Sequence, residues 1–139
     1  MREEIKKRIA QREPFLFVDE IVQEDGKSIE TCYRVSGDES FFKGHFPGQP
    51  IVPGVILQEA AFQTGALLMS SDDGVEGLGV VTRVNNVKFK SMVKPGDTLN
   101  IHVSLVEKLA NASFFKGKIF VESKLVLSLD FTCAVTESK

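Results

Sequence analysis

The stretch "PGVILQEAAFQTGALLM", Pro53–Met69, decides how this chain is read. Its Ala, Leu and Gln content favours helix. Its apolar residues (Val55, Ile56, Leu57, Ala60, Ala61, Phe62, Ala66, Leu67, Leu68) cover nearly every face, so the helix, Gly54 to about Met69, is expected to be buried. What flanks it reads as β-structure. Upstream, "PFLFVDEIV" (Pro14–Val22) and "SIETCYRVS" (Ser28–Ser36) are strand-like and joined by the turn-forming "EDGK" at Glu24–Lys27. Downstream, Leu99, Ile101, Val103 and Leu105 alternate with polar residues. Leu125, Leu127, Leu129, Phe131, Cys133 and Val135 do the same, a period of two that marks half-buried antiparallel strands. "GLGVVTRVNNVKFKSMV" and "ASFFKGKIFVES" supply the remaining strands, and "REEIKKRI" a short N-terminal helix with Ile5 and Ile9 on one face. One buried helix between two β blocks predicts an α+β fold whose antiparallel sheet wraps the helix.

Composition narrows the function classes. The 139 residues suit one domain, 1–139, with no linker, repeat or low-complexity segment. Hydrophobic content of 42% and charged content of 26% are those of a soluble globular protein. A net charge of −2 gives no global attraction to nucleic acid or to an anionic membrane. No apolar run reaches the ~20 residues of a membrane span. The charged start "MREEIKKRIAQRE" lacks the apolar core of a signal peptide. Cys32 and Cys133 have no metal-ligand spacing and read as a reduced pair. A cytoplasmic protein is the expectation.

Chemistry concentrates just ahead of the helix, in "GHFPGQPIVPG", Gly44–Gly54. Pro47, Pro50 and Pro53 fix φ, while Gly44, Gly48 and Gly54 permit turns and close backbone approach. Such a loop is stiff and holds His45 in one orientation. The helix then starts without a Ser, Thr, Asp or Asn cap, so its first N–H groups lack a side-chain acceptor. Those groups and the positive end of the helix dipole suit a developing oxyanion. Glu59 lies inside the helix, with Gln63 at i+4 on the same face. A carboxylate there is costly unless paired, solvated or protonated. Histidine, open helix start and semi-buried carboxylate match proton abstraction next to a carbonyl, with help to a leaving group. Read blandly, His45 is a hydrogen-bonding loop residue, the Gly/Pro spacing is turn chemistry, and Glu59 is a satisfied core or interface carboxylate. His102, on the polar side of a strand, reads as solvated.

"GHFPGQPIVPGVILQEAAFQ" (Gly44–Gln63) resembles the signature of the FabZ family, the β-hydroxyacyl-acyl carrier protein dehydratases of type II fatty acid synthesis. The upstream "PFLFVDEI" and downstream "VKFKSMVKPGDTL" are similar to family segments in the same order. The resemblance implies a hot-dog fold, a homodimer with the site between subunits, and assembly into a trimer of dimers. It implies His45 from one subunit as the base at C2 and Glu59 from the other as the group assisting loss of the C3 hydroxyl. The Gly54 amide would bind the thioester oxygen and Gln63 would position the carboxylate. Phe46, Pro53, Val55 and Phe62 would line the substrate. No metal or organic cofactor is needed. Related dehydratase/isomerases carry Asp at the Glu59 position, so Glu favours dehydration alone.

The chain departs from this family at Phe62, where a small residue is usual, and at Ala61, where a larger one is. It also departs at Ser91 and Lys94 of "SMVKPGD" and at "QREPFLFVD". None of these removes a catalytic group. The expected substrate carrier is acidic, and Val81–Gly96 holds four bases without an acid, Arg83, Lys88, Lys90 and Lys94, as a docking strip. Any one of these is equally a solvated strand residue. A hot-dog thioesterase and a non-catalytic acyl-carrier-binding subunit are the alternative readings, which intact His45 and Glu59 disfavour.

Overall fold

The alternating segments form one sheet, and the uninterrupted apolar segment forms the helix it encloses. The computed structural model describes residues 1–70 and 78–136. In chain order the elements are α1 (Arg2–Lys6), β1 (Glu20–Glu24), β2 (Ser28–Arg34), a 3₁₀ turn (Ser40–Lys43), α2 (Gly54–Met69), β3 (Leu78–Phe89), β4 (Thr98–Leu109), β5 (Ala112–Val121) and β6 (Lys124–Thr136). The strands assemble in the order β1-β2-β4-β5-β6-β3, every neighbouring pair antiparallel. Register irregularities in β3, β4 and β5 bend the sheet. The curved sheet packs α2 against β2, β4, β5 and β6, which is the hot-dog arrangement. Among the described residues, no helix is long and apolar enough to cross a membrane.

Close approach of α2 to the sheet depends on small residues at the crossing. A Cβ on Gly65 would meet the Phe131 ring at 2.9 Å, and one on Gly117 of β5 would meet Leu129 at 3.0 Å and Ala61 at 3.7 Å. Ala61 is fully buried at that crossing, so its short side chain is a packing requirement. The hydroxyls of Thr31 and Thr64, both fully buried, lie 2.8 Å apart, and Thr64 also donates to the Ala60 carbonyl. That polar pair costs little because each hydroxyl has a partner.

Two expectations are revised. Strand pairing begins at Glu20, not at Pro14. Leu16, Phe17 and Val18 instead enter the core beside α2. The Phe17 N–H and the Phe15 carbonyl find the Gln63 side chain of the helix there instead of a neighbouring strand. At the N-terminus, Ile5 and Ile9 are both buried, yet α1 ends at Lys6. Arg8 then crosses to the end of α2, donating to the Leu67 carbonyl (2.6 Å) and the Ser70 hydroxyl (2.9 Å), and pairing with Glu24 at 2.8 Å. A cation on the last carbonyls of a helix opposes the negative end of its dipole.

The cysteines are free thiols, Cys32 on β2 and Cys133 on β6. Those strands are three steps apart in the sheet, roughly 14 Å at the usual strand spacing, beyond disulfide reach.

Candidate active site

His45 sits on a loop anchored to the β3–β4 connection by the Val52 N–H, which donates to the Val93 carbonyl at 2.8 Å. Its Nδ1 lies 2.8 Å from the Ile51 carbonyl. A carbonyl only accepts, so Nδ1 carries the hydrogen, and in the neutral ring Nε2 is the nitrogen with the lone pair. The ring also packs edge-on against Phe46, centroids 4.5 Å apart. Phe46 adopts φ 53°, a conformation non-glycine residues seldom take, and its own ring is 59% exposed. The Gly/Pro loop therefore does what its composition requires and fixes one face of the imidazole.

Helix α2 opens at Pro53, and no side chain caps it. The Pro53 carbonyl takes the N–H groups of Ile56 and Leu57, while those of Gly54 and Val55 have no acceptor among the described residues. Val55 itself is 69% exposed. A Cβ on Gly54 would lie 2.7 Å from the ring of Phe89, so any larger residue here would push that ring aside. Phe89, at the end of β3 and half-exposed, thus stands over the helix start. Sequence reasoning missed it, since nothing local in "VKFK" points to a residue on another element.

Glu59 is held by Gln63 in a side-chain chain that starts in the N-terminal segment. Gln63 is fully buried. Its Oε1 accepts from the Phe17 N–H (2.8 Å), and its Nε2 donates to the Phe15 carbonyl (2.9 Å) and to Glu59 Oε2 (3.0 Å). "PFLF" is therefore the anchor of the Glu59 clamp. Burial raises the Glu59 pKa above the ordinary carboxylate range, and the Gln63 hydrogen bond offsets only part of that rise. Cys133 lies within electrostatic reach of Glu59. Burial first, then the Glu59 charge, push its thiol up to about 12, which leaves it an inert apolar neighbour.

Within one protomer the pieces do not all meet. Among the described residues, no hydrogen bond joins His45 to Glu59. Glu59 belongs to a stripe of α2 that the chain's own sheet leaves partly uncovered: Val55, Glu59, Phe62, Ala66 and Met69. Beside it runs β3, an edge strand whose inner face carries the exposed Val81, Val84 and Phe89. The Glu59–Gln63 pair and this apolar open face therefore lie side by side.

The basic strip is divided by the fold. Arg83 and Lys88 lie on the outer face of β3, opposite Thr132 and Ser128, with Asp130 of β6 between them. Lys90 follows the strand, its N–H donating to the Val126 carbonyl at 2.8 Å. Lys94 instead lines an open groove of about 810 Å³ beside the His45 loop, with Gln49, Ile51, Met92 and Lys124. Lys124, invisible to a linear search for charge runs, is the base that Lys94 joins. His102 is exposed on the outer sheet face, 3.9 Å from Glu30 and edge-on to Phe120. No group of three His, Cys, Asp or Glu side chains among the described residues is placed to hold a metal ion.

Fold and site together define a hot-dog protein that carries a held histidine, a half-buried carboxylate and an uncapped helix start. The sequence matches the FabA-like domain over residues 9–130. The chain belongs to this FabA-like family and, within it, is of the FabZ type. It is 36% identical over 135 residues to the 3-hydroxyacyl-[acyl-carrier-protein] dehydratase FabZ of Oceanobacillus iheyensis, covering 96% of each chain. Over 137 residues it is 36% identical to the protein of the same name from Bacillus subtilis, covering 97% of each. Among solved structures it is similar to the dehydratase heterocomplex ApeI:P from Xenorhabdus doucetiae, with TM-score 0.84, 15% identity and coverage of 96% and 91%. A hypothetical thioesterase with coenzyme A from Streptococcus pneumoniae follows at TM-score 0.66, 18% identity and coverage of 86% and 87%. At these identities the structural likenesses speak to the fold alone.

Proposed function

We propose that the chain, as one domain over residues 1–139, is a (3R)-hydroxyacyl-[acyl-carrier-protein] dehydratase working as a homodimer. It eliminates water to give the trans-2-enoyl thioester. The observation that carries the mechanism is the hydrogen bond from His45 Nδ1 to the Ile51 carbonyl, which leaves Nε2 as a base of fixed aim. Nε2 takes the C2 proton while the thioester oxygen, gaining charge, is held by the Gly54 and Val55 N–H groups. Glu59, whose pKa burial raises toward that of a working acid, gives a proton to the departing C3 hydroxyl, and water leaves. The proton on His45 returns to Glu59 through solvent, restoring both groups.

The second subunit is part of this reading. An edge strand of 12 residues with three exposed apolar side chains is suited to antiparallel pairing with its own copy. Such pairing brings a partner's loop toward the uncovered Glu59. Phe46, Pro53 and Phe62 then flank the acyl group, and Lys94 with Lys124 forms the most direct landing for an acidic carrier. Arg83, Lys88 and Lys90 lie further out. A trimer of dimers and a cytoplasmic setting complete the proposal, the latter supported by the two free thiols.

The test uses two variants, His45→Ala and Glu59→Gln, assayed on 3-hydroxyacyl-carrier protein. Each alone is expected to lose roughly 10²-fold or more. Mixed and re-equilibrated in equal amounts, they are expected to recover about a quarter of wild-type activity, because half the dimers then hold one intact site. Full activity in either variant overturns the roles, and a dead mixture overturns the shared site. Release of free thiol instead of enoyl product would move the assignment to a thioesterase.

A further inference from the structure

The substrate's tail is where this chain differs from what its acid–base pair requires, and the seam beside α2 carries the argument. Helix α2 runs alongside the inner face of β3, in the opposite sense. Its first residue, Gly54, lies against Phe89 at the end of β3, and its last, Met69, lies against Gly79 near the beginning. Between these closed ends the uncovered stripe of α2 faces Val81 and Val84 on β3. An alkyl chain leaving C3 at Glu59 has this apolar seam to follow. From Glu59 to Met69 the helix advances about 15 Å, at the usual rise per residue.

Phe62 stands in that path. It is one turn beyond Glu59 on the same stripe, about 4.5 Å further along the axis. Its ring meets Phe131 of β6 edge-on, centroids 5.1 Å apart, and Phe131 is stacked on Phe115 of β5, also at 5.1 Å. Phe131 in turn pairs with Val84 across the β3–β6 ladder. The stack is wedged in place, since Phe131 fills the space that Gly65 and Gly117 leave by having no Cβ. Phe62 therefore cannot sink into the core when a ligand pushes on it. The neighbouring Ala61 faces the core crossing with Gly117, so bulk at 62 is on the seam side alone.

We infer that Phe62, backed by Phe131 and Phe115, blocks the seam a few methylenes beyond the reacting carbons and makes this enzyme selective for short 3-hydroxyacyl chains. The inference rests on the dehydratase reading above and adds the substrate class. The experiment is a kcat/KM series on carrier-protein thioesters of (3R)-hydroxybutyrate, (3R)-hydroxyoctanoate and (3R)-hydroxydodecanoate, with wild type, Phe62→Ala and Phe62→Leu. Wild type is expected to favour the four-carbon over the twelve-carbon chain by roughly tenfold or more, the discrimination a few excluded methylenes can give. Phe62→Ala is expected to raise the ratio of twelve-carbon to four-carbon kcat/KM at least tenfold. Phe62→Leu, which keeps most of the packing, is expected to fall between. A wild-type profile flat in chain length, or a long-to-short ratio unmoved in both variants, overturns the inference while leaving the dehydratase reading intact. No enoyl product at any length from wild type overturns both.

Discussion

Replacing Gln63 by leucine tests the clamp on Glu59 most directly, because the size of the effect follows from three hydrogen bonds. Leucine keeps the volume and the helix propensity but removes every polar contact of the side chain. The Phe17 N–H, bonded to Oε1 at 2.8 Å and buried, is left without a partner, at about 1–3 kcal/mol. The Phe15 carbonyl, bonded at 2.9 Å near the surface, is rehydrated, at about 0.5–1.5 kcal/mol. Loss of the 3.0 Å bond to Glu59 adds a similar amount, and the larger apolar side chain returns about 1 kcal/mol. The net is roughly 1–5 kcal/mol, or a Tm lower by about 3–17 °C for a chain of this size. Melting should be compared at one protomer concentration, since a dimer's stability depends on it. Catalysis moves separately. With the Gln63 donor gone, the contribution that lowered the Glu59 pKa is lost and burial acts alone, so that pKa rises further. The group acts as an acid, so the alkaline limb of kcat/KM shifts to higher pH while kcat falls at least tenfold from misplacement, the low end of a general acid's contribution. A variant melting within about 2 °C of wild type, a smaller change than a single lost hydrogen bond produces, with unchanged turnover and pH limbs would refute the clamp.

Two further outcomes follow from single contacts. Gly65→Ala gains helix propensity yet puts a Cβ 2.9 Å from the Phe131 ring, so it is expected to destabilise by about 1–3 kcal/mol, measured by denaturant titration; a net gain in stability would show that the crossing is looser than described. Glu59→Gln is expected to raise stability at neutral pH. A carboxyl whose folded pKa lies above its unfolded value is destabilising once pH has risen through the folded pKa, and carries no penalty below the unfolded one. The variant's advantage in Tm should therefore shrink as pH falls through the carboxylate range, and an advantage that grows with acidity would contradict the burial of Glu59.

Much of this was legible in the chain because it is written at short range. Helical content in Gly54–Met69, alternation in the strands, and the Gly/Pro loop that holds His45 all depend on residues a few positions apart. The reading of Pro14–Val22 as a strand failed for a physical reason. A short continuous apolar run satisfies a sheet and a side-chain acceptor equally well, and only the arrival of Gln63 from 46 positions away chose the second. The charge strip is divided for a similar reason, since Lys94 lies in a groove with Lys124 while Asp130 from β6 lies between the partners of Arg83 and Lys88.

The sequence by itself therefore determined the elements, the histidine of fixed orientation, the uncapped helix start and the carboxylate that burial would perturb. Local propensity and the chemistry of single side chains suffice for those. The tertiary structure decided what each is set against: Phe89 over Gly54, Phe15 and Phe17 on Gln63, and Phe131 behind Phe62. It also decided that α2 leaves one stripe uncovered beside a free edge strand. Those relations arise from the order in which six strands wrap one helix, and contacts between distant segments leave no local pattern from which to read them.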